Sequence, residues 1–429
     1  MTDGVWEYIF GLAEKVQSDI PKATLGGMRR EFSYWYPVDV RVSGKDLVNN
    51  HLIFFLYIHQ AIWGPQASRY LPRGIRLNRH LMLNCDKMSK STGNFLALTS
   101  AIEKFGADAT RIALADGGDG IDDANFKEST ANAVILRLFE LKKWIEAVIL
   151  NAHLLRPGEG FGQVRAMERP ENTDSIQRTE PMIFWDALFM NDVNMLIRQT
   201  IQAHQLTNYK AALKSGFYDF TAARDAYRAA THSASIGMHH DCIRYYVETQ
   251  ALMVCIFAPH WADYIWREPS TIQLQPFPDV PEPNIELQVT SYYAKVTSAR
   301  ILAAHSGQQK RLAKGKGLLF DPSKDERLNI CVAKSWLTWQ ERHIDLVREL
   351  FDGVTLDGKA VAKRVEKAEM KKAMSFIQEL KRKLESGESR ESVLDRALAF
   401  DEVGVLKEMA PVLESTVPRL KDVNAIVID

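Results

Sequence analysis

Lys87-Met88-Ser89-Lys90-Ser91-Thr92-Gly93-Asn94 sets two cations three positions apart among hydroxyl side chains, directly after a polar Asn84-Cys85-Asp86 turn. Such a segment can fold around phosphates. Both ammonium groups can reach a polyphosphate, Ser and Thr donate hydrogen bonds, and Gly93 lets the backbone come close. A Lys/Ser loop on a solvated surface has the same composition, so the string alone leaves both readings open. Upstream, Ser43-Gly44-Lys45-Asp46-Leu47-Val48-Asn49-Asn50-His51-Leu52 reads as the end of a strand passing into the start of a helix. Asp46 is there a pure acceptor suited to a diol, and a helix N-terminus favours nearby anions. His51 alone reads as a structural histidine; beside Asp46 it reads as a site residue.

These runs need a scaffold. Short β-like stretches such as Pro37 to Val42 and Leu81-Met82-Leu83 alternate with helical patterns such as Leu47 to Trp63. That alternation predicts an α/β layer fold for the first part of the chain. From Glu128 to Trp266 the pattern turns to long helical periods over Thr130 to Leu150, Trp185 to Gln205, Tyr209 to Tyr227 and His240 to Ile256, a helical bundle. Leu154 to Pro181 reads as a solvated connection. Pro269, Pro276, Pro278, Pro281 and Pro283 remove donors and fix φ, which places a junction there. The remainder is mixed, with helical stretches over Lys334 to Phe351, Lys359 to Leu384 and Val393 to Met409.

Bulk properties narrow the function. Lys plus Arg and Asp plus Glu both number 54, so no global field draws the chain to nucleic acid or membrane, and any such contact uses local patches. Cys85, Cys242, Cys255 and Cys331 have no metal-ligand spacing, which argues for buried free thiols in a reducing compartment and against zinc. The longest apolar runs fall far short of the roughly 18 residues of a membrane span. No targeting segment is visible at the N-terminus, and the expected location is the cytoplasm. Gly353 to Ala360 imitates a phosphate loop but ends on Ala where Ser or Thr is required, and Asp357-Gly358 reads as a turn. Lys363, Lys367 and Lys371 share a helical face with interleaved glutamates and read as solvated; Lys310-Arg311 with Lys314 to Gly317 could equally meet phosphate. Tyr218, Tyr227, Tyr245, Trp261 and Trp266 read as packing residues.

Lys87 to Ser91 resembles the hallmark string of class I aminoacyl-tRNA synthetases. Together with Tyr34 to Asp39, Ser43 to Leu52, Asp86 to Phe95, Ala113 to Asp116, Asp122 to Phe126 and Pro259 to Ala262, it is similar to the C-terminal half of cytosolic leucyl-tRNA synthetases of eukaryotic and archaeal type. Isoleucyl, valyl and methionyl relatives share the lysine loop but resemble the chain less elsewhere. The resemblance implies an α/β plus all-α fold. Residues 1–94 would form the second half of a Rossmann-like catalytic domain, 95–127 a stem-contact connector, 128–268 an anticodon-binding helical bundle, and 285–429 a mixed α/β C-terminal domain.

The implied activity is leucine–tRNA ligation through leucyl-adenylate, with Lys87 and Lys90 catalytic. The resemblance assigns ATP binding to Gly44, Asp46, Asn50, His51, Met82, Leu83, Lys87, Met88, Ser89, Lys90 and Ser91. Asp46 would take the ribose hydroxyls, and Met82 and Leu83 would receive adenine. ATP would bring Mg2+, with no protein-bound metal; leucine and its tRNA are the implied partners, with no membrane, and other translation proteins could meet the C-terminal region. Arg79 stands before His80 where the family tends to have Gly, and Asn49 where it often has Pro. The family's second signature, His-x-Gly-His, does not occur in the 429 residues. The expectation is therefore an incomplete chain without the first signature and editing domain, catalytically deficient alone; a non-catalytic tRNA- or partner-binding fragment is the alternative.

Overall fold

A computed structural model describes the chain apart from residues 79, 121, 158–180, 267–270, 316–323, 334, 352–354, 367–368, 386–389, 396–397 and 429. It begins α1 (Asp3–Ile9), α2 (Lys22–Trp35), β1 (Val40–Gly44), α3 (Ile53–Trp63), α4 (Ala67–Tyr70), β2 (Gly74–Asn78), β3 (Leu81–Leu83) and β4 (Asp86–Lys87). There follow α5 (Leu98–Phe105), α6 (Ala107–Gly117), β5 (Ala124–Phe126), α7 (Glu128–Leu150), α8 (Phe184–Gln205), α9 (Tyr209–Leu213), α10 (Phe220–Ser233), α11 (His240–Cys255) and α12 (Pro259–Trp266). Last come α13 (Ile285–Ala313), β6 (Glu326–Ala333), α14 (Thr338–Leu350), α15 (Gly358–Arg364), α16 (Met370–Glu385), α17 (Arg390–Leu394), α18 (Glu402–Thr416) and β7 (Leu420–Ile428). Two compact units result, one from Met1–Glu146, Thr200–Phe217 and Ala251–Pro276, the other from Ala147–Gln199, Tyr218–Gln250 and Phe277–Asp429.

In the first unit, β1 and β2 pair in parallel from Val40↔Gly74 to Gly44↔Asn78. Parallel strands need a crossover, which α3 and α4 supply. An aromatic cluster stiffens it: Trp63 stacks on Tyr70 with centroids 3.9 Å apart, and Phe32 stacks on Tyr36 at 5.0 Å. A second small sheet has the order β4-β3-β5, with β3 antiparallel to β4 and parallel to β5. On α7, Ala131, Val134, Leu138, Leu141 and Ile145 are buried, the three-and-four spacing of one helical stripe facing a core.

α6 fastens two helix ends in this unit. Asp108 accepts from the Trp261 backbone N–H at 2.7 Å and meets His260 Nδ1 at 2.9 Å, satisfying orphan donors at the start of α12. One turn along, Arg111 donates to the carbonyls of Ile256 at 2.7 Å and Phe257 at 3.1 Å, where α11 has just ended. A carboxylate at a helix N-terminus and a guanidinium at a C-terminus both oppose the local backbone charge.

In the second unit, β6 and β7 form a parallel pair, and α18 lays Val405, Leu406, Met409 and Leu413 into one core with Val332 and Leu420. A separate core joins Ile344 and Val347 of α14 to Ala373, Ile377 and Leu380 of α16. Deep in the unit, Asp186 is fully buried and takes both arms of its carboxylate to the Arg156 guanidinium, at 2.6 and 2.7 Å. The Tyr227 hydroxyl donates to the same carboxylate and accepts from the His239 N–H at 2.8 Å. Burial, and that bond to Asp186, push the Tyr227 phenol far up, while burial pushes the Cys242 thiol up to about 12.

Several expectations are corrected. The predicted helix over Tyr209 to Tyr227 is divided: α9 passes through a π turn, Lys214–Asp219, into α10. A Cβ on Gly216 would lie 2.8 Å from the Thr200 methyl, so the wide turn uses glycine for close approach. The stretch over Lys359 to Leu384 is interrupted after Arg364, where Val365 turns into the core of α14 and α16. That over Val393 to Met409 stops at Leu394, and α18 starts afresh on Asp401, whose side chain accepts from Val403 N–H. Asp357, read as part of a turn, is an N-terminal cap for α15, accepting from the Ala360 N–H at 3.3 Å. Arg156, read as part of a solvated connection, is half-buried, its guanidinium turned inward onto Asp186, although residues 158–180 of that connection lie outside the described residues. Only part of the thiol expectation holds: Cys242 is buried, Cys255 is half-buried, and Cys85 and Cys331 are exposed. Tyr227 and Trp261 are packing residues, as expected. Lys316, Gly317 and Lys367 lie outside the described residues.

Candidate functional site

The lysine loop grows out of a two-residue hairpin. Leu83 pairs with Asp86, and between them Asn84 and Cys85 both adopt positive φ, 53° and 73°. Two such residues make the turn whose twist suits a tight antiparallel pair. L-residues pay for this backbone, and here tertiary bonds offset the strain. Cys85 N–H donates to Asn125 Oδ1 at 2.9 Å, and Asn125 Nδ2 donates to Cys85 Sγ at 3.0 Å. The Asn84 amide exchanges two bonds of 3.0 Å with Glu128, donating to its carboxylate and accepting from its backbone N–H. Glu128 also takes the Lys104 ammonium at 2.6 Å; that bond first, then the Asn84 amide, holds its carboxyl below the usual range. The loop is thus pinned at its base by β5 and the start of α7, a support the sequence reading missed. The pattern Asn84-Cys85 before a charged pair was the available signal.

Beyond the base the loop closes on itself. Ser89 N–H donates to Asn94 O at 2.8 Å, Thr92 Oγ1 to Ser89 O at 3.2 Å, and Asn94 Nδ2 to Lys87 O at 3.3 Å. The hydroxyls of Ser89 and Ser91 lie 2.8 Å apart. Gly93 sits at φ 72°, where its lack of a Cβ is used. Lys87 and Lys90 are exposed and, among the described residues, make no ion pair. Two cations held on a closed loop without carboxylate partners are free to meet an anion. Met88 is half-buried beside them, as is Met82; the Leu83 side chain is buried in the core, leaving its backbone at the loop entrance.

The second run departs from simple strand-to-helix geometry. After β1 come a short 3-10 turn, Lys45–Leu47, and a π turn, Val48–Leu52, before α3 begins. Asn50 and His51 lie in that rare wide turn, a feature frequent at functional sites and invisible in composition. Asn50 Oδ1 accepts from the His51 N–H, and His51 Nδ1 meets Arg41 Nη2 at 2.9 Å. Arg41 in turn lies over the Phe55 ring at 3.9 Å, so His51 rests on a fixed guanidinium. Gly44 has φ −70°, and a Cβ there would meet nothing within 4 Å; the space above it is open. Asp46 is exposed and faces His80 Nε2 at 3.4 Å. His80 lies between β2 and β3, so this pair joins the Asp46 turn to the strand that enters the lysine loop. Sequence reasoning noted His80 but gave it no role, and Arg79 lies outside the described residues.

The family model for class I tRNA synthetases matches residues 5–136, and that for the anticodon-binding domain of tRNA ligases matches 186–310. Over its full length the chain is 42% identical to the cytoplasmic leucine–tRNA ligase of Neurospora crassa, of which it covers 37%. It is 43% identical over 98% of its length to the cytoplasmic leucine–tRNA ligase of Saccharomyces cerevisiae, covering 36%. A solved chain from Agrobacterium radiobacter, in a LeuRS–tRNA–LeuAMS complex, matches 65% of this chain and 33% of its own with a TM-score of 0.44 and 17% identity. The chain thus spans about a third of the length of these curated relatives.

Proposed function

The chain belongs to the leucine–tRNA ligases among the class I tRNA synthetases, and on that premise we propose that its lysine loop serves ATP-dependent activation of leucine in a polypeptide of the relatives' length. The leucine carboxylate attacks the α-phosphorus, a carboxylate–phosphorus bond forms, and the bond to the β-phosphate oxygen breaks as pyrophosphate leaves. Negative charge gathers on the departing oxygens, where Lys87 and Lys90 act as mobile cations and Ser89 and Ser91 donate hydrogen bonds. Asp46 takes the ribose hydroxyls, exchanging its contact with His80 for them, and Gly44 leaves room beside it. Asn50 and His51 border the adenylate, and Met82 and Leu83 receive adenine along the β3 backbone. Mg2+ travels with the triphosphate and no step is assigned to it; among the described residues no group of three or more His, Cys, Asp or Glu gathers to hold a metal.

In this reading residues 1–94 carry the nucleotide half-site, 95–127 connect it onward, 128–268 dock tRNA(Leu) through the helical bundle, and 285–429 form a mixed C-terminal domain, packed with 147–199 and 218–250 in one compact unit and open to other translation proteins. The location is cytoplasmic, after the names of the relatives; among the described residues no helix is long and apolar enough to cross a membrane. The observation that carries the proposal is the closed loop with two lysines that make no ion pair among the described residues, pinned at its base and joined through the β3 entrance to Asp46. A second reading, a tRNA-binding fragment without activity of its own, draws on the lack of His-x-Gly-His in these 429 residues. Leucine-dependent ATP–pyrophosphate exchange separates them. We expect exchange from a polypeptide extended to the relatives' length, with leucine and not isoleucine, valine or methionine, and none from the 429 residues alone. Exchange by the short chain would overturn the deficiency, and none by the extended one would overturn the proposal.

A further inference from the structure

Apart from the lysine loop and the Asp46 turn, the first unit holds a cavity of about 460 Å³ between α2, the end of α4 and the chain leading into β2. Its walls include Phe32, Tyr36 and Tyr70, and Arg29, Arg69 and Arg73 line it; no carboxylate does. The size lies in the range of small-ligand sites. The aromatic wall is a fixed platform, because Phe32 and Tyr36 are stacked within 22° of parallel and Tyr70 is backed by Trp63.

The guanidiniums differ in what they already hold. Arg73 is paired with Asp39 at 3.0 Å, so its charge is offset. Arg29 is held in place by the Ala13 carbonyl at 3.1 Å and by the Tyr8 ring at 4.8 Å, contacts that orient it without neutralising it. Arg69 is exposed and rests over the Tyr70 ring at 5.7 Å; among the described residues it makes no hydrogen bond or ion pair. Two uncompensated guanidiniums beside aromatic side chains offer forked donors to a phosphate and an apolar wall to a planar base.

We infer that this cavity binds a nucleoside monophosphate unit, its phosphate on Arg29 and Arg69 and its base against the Phe32 and Tyr36 rings. The unit can come from a free nucleotide or from an RNA strand, since both present the same phosphate and base. The inference does not rest on the lysine-loop reading.

Calorimetric titration of the 429-residue chain with AMP, adenosine and inorganic phosphate tests it. AMP should bind, and binding should persist in a chain carrying Asp46→Ala, Lys87→Ala and Lys90→Ala, which removes the other nucleotide site. In that background Arg69→Met should weaken AMP about tenfold or more, the loss of a charge-assisted hydrogen bond, and adenosine and phosphate should each bind more weakly than AMP. Arg29→Met should act in the same direction, with circular dichroism verifying the fold of each variant. Displacement of AMP by a 5′-phosphorylated oligoribonucleotide would support the cavity and name RNA as the source; failure to displace would support it and name a free nucleotide. The inference is overturned if AMP binding vanishes in the triple variant, if Arg69→Met leaves it unchanged there, or if no AMP binds at millimolar concentration.

Discussion

Replacing Lys90 by alanine separates a catalytic lysine from a merely exposed one. The structure sets the stability side first: Lys90 is exposed and, among the described residues, unpaired, and the loop's closure runs through Ser89, Thr92 and Asn94 instead. A surface change of this kind alters folding stability by no more than about 0.5 kcal/mol. On the catalytic side, losing one donor that meets developing charge costs about 2–4 kcal/mol of activation free energy. At 1.36 kcal/mol per tenfold that is a loss of roughly 30- to 900-fold in rate. Lys87→Ala should fall in the same range, and the double variant below either, though not as the product of the two, since both cations address one leaving group. The assay is leucine-dependent pyrophosphate exchange in the extended polypeptide, run beside thermal unfolding of each variant. An unslowed exchange refutes the reasoning, as does a slowing that is matched by a collapse of the melting transition.

Asp186→Ala would strand the Arg156 guanidinium in the interior, and removing one partner of a buried pair costs about 3–5 kcal/mol; urea unfolding should show the loss. Gly117→Ala would bring a Cβ to 2.9 Å from the Asn125 carbonyl oxygen, backbone that cannot swing aside. A cost of about 1–3 kcal/mol is expected, together with weaker ATP binding in the extended polypeptide because Asn125 anchors the turn below the lysine loop. The Glu128 carboxyl is held below its ordinary value of 4.5 by Lys104 and Asn84, so the ionised form is favoured in the folded state. Its contribution is therefore present above that value and lost as pH falls through the lower folded-state value. Glu128→Gln should lie below the wild type in urea midpoint near neutral pH and converge with it in acid; a gap that stays constant with pH would contradict the assignment.

The tight closure of the lysine loop was legible in its hydroxyls, Asn94 and Gly93, the last of which the structure holds at positive φ. Long helices were legible where one apolar stripe runs unbroken, as along Ala131 to Ile145 of α7. What could not be read were features decided by partners far along the chain. Asn50 and His51 sit in a π turn, and nothing in their neighbours' propensities distinguishes five-residue from four-residue winding. Arg156 follows a polar-looking connection, yet its side chain is buried because Asp186, thirty positions away, is waiting in the interior. Asn125 and Glu128 carry no local signal of their roles, but the first is spent on the hairpin turn and the second on the same turn and Lys104. Helix breaks at Val365 and before Asp401 escaped notice for the opposite reason. There, periodicity continued while a buried side chain or a cap ended the helix locally.

The segment from α5 to β5 then acquires a physical meaning beyond its resemblance. Asp108 and Arg111 on α6 hold the start of α12 and the carbonyls just past α11, while Gly117 at the other end of α6 lies against Asn125. Asn125 pins the turn from which the lysine loop springs. Each link is a short bond or a backbone contact, and α6 is a single helix of 11 residues. A surface loop with the same lysines but without Asn125 and Glu128 beneath its base would lack that connection.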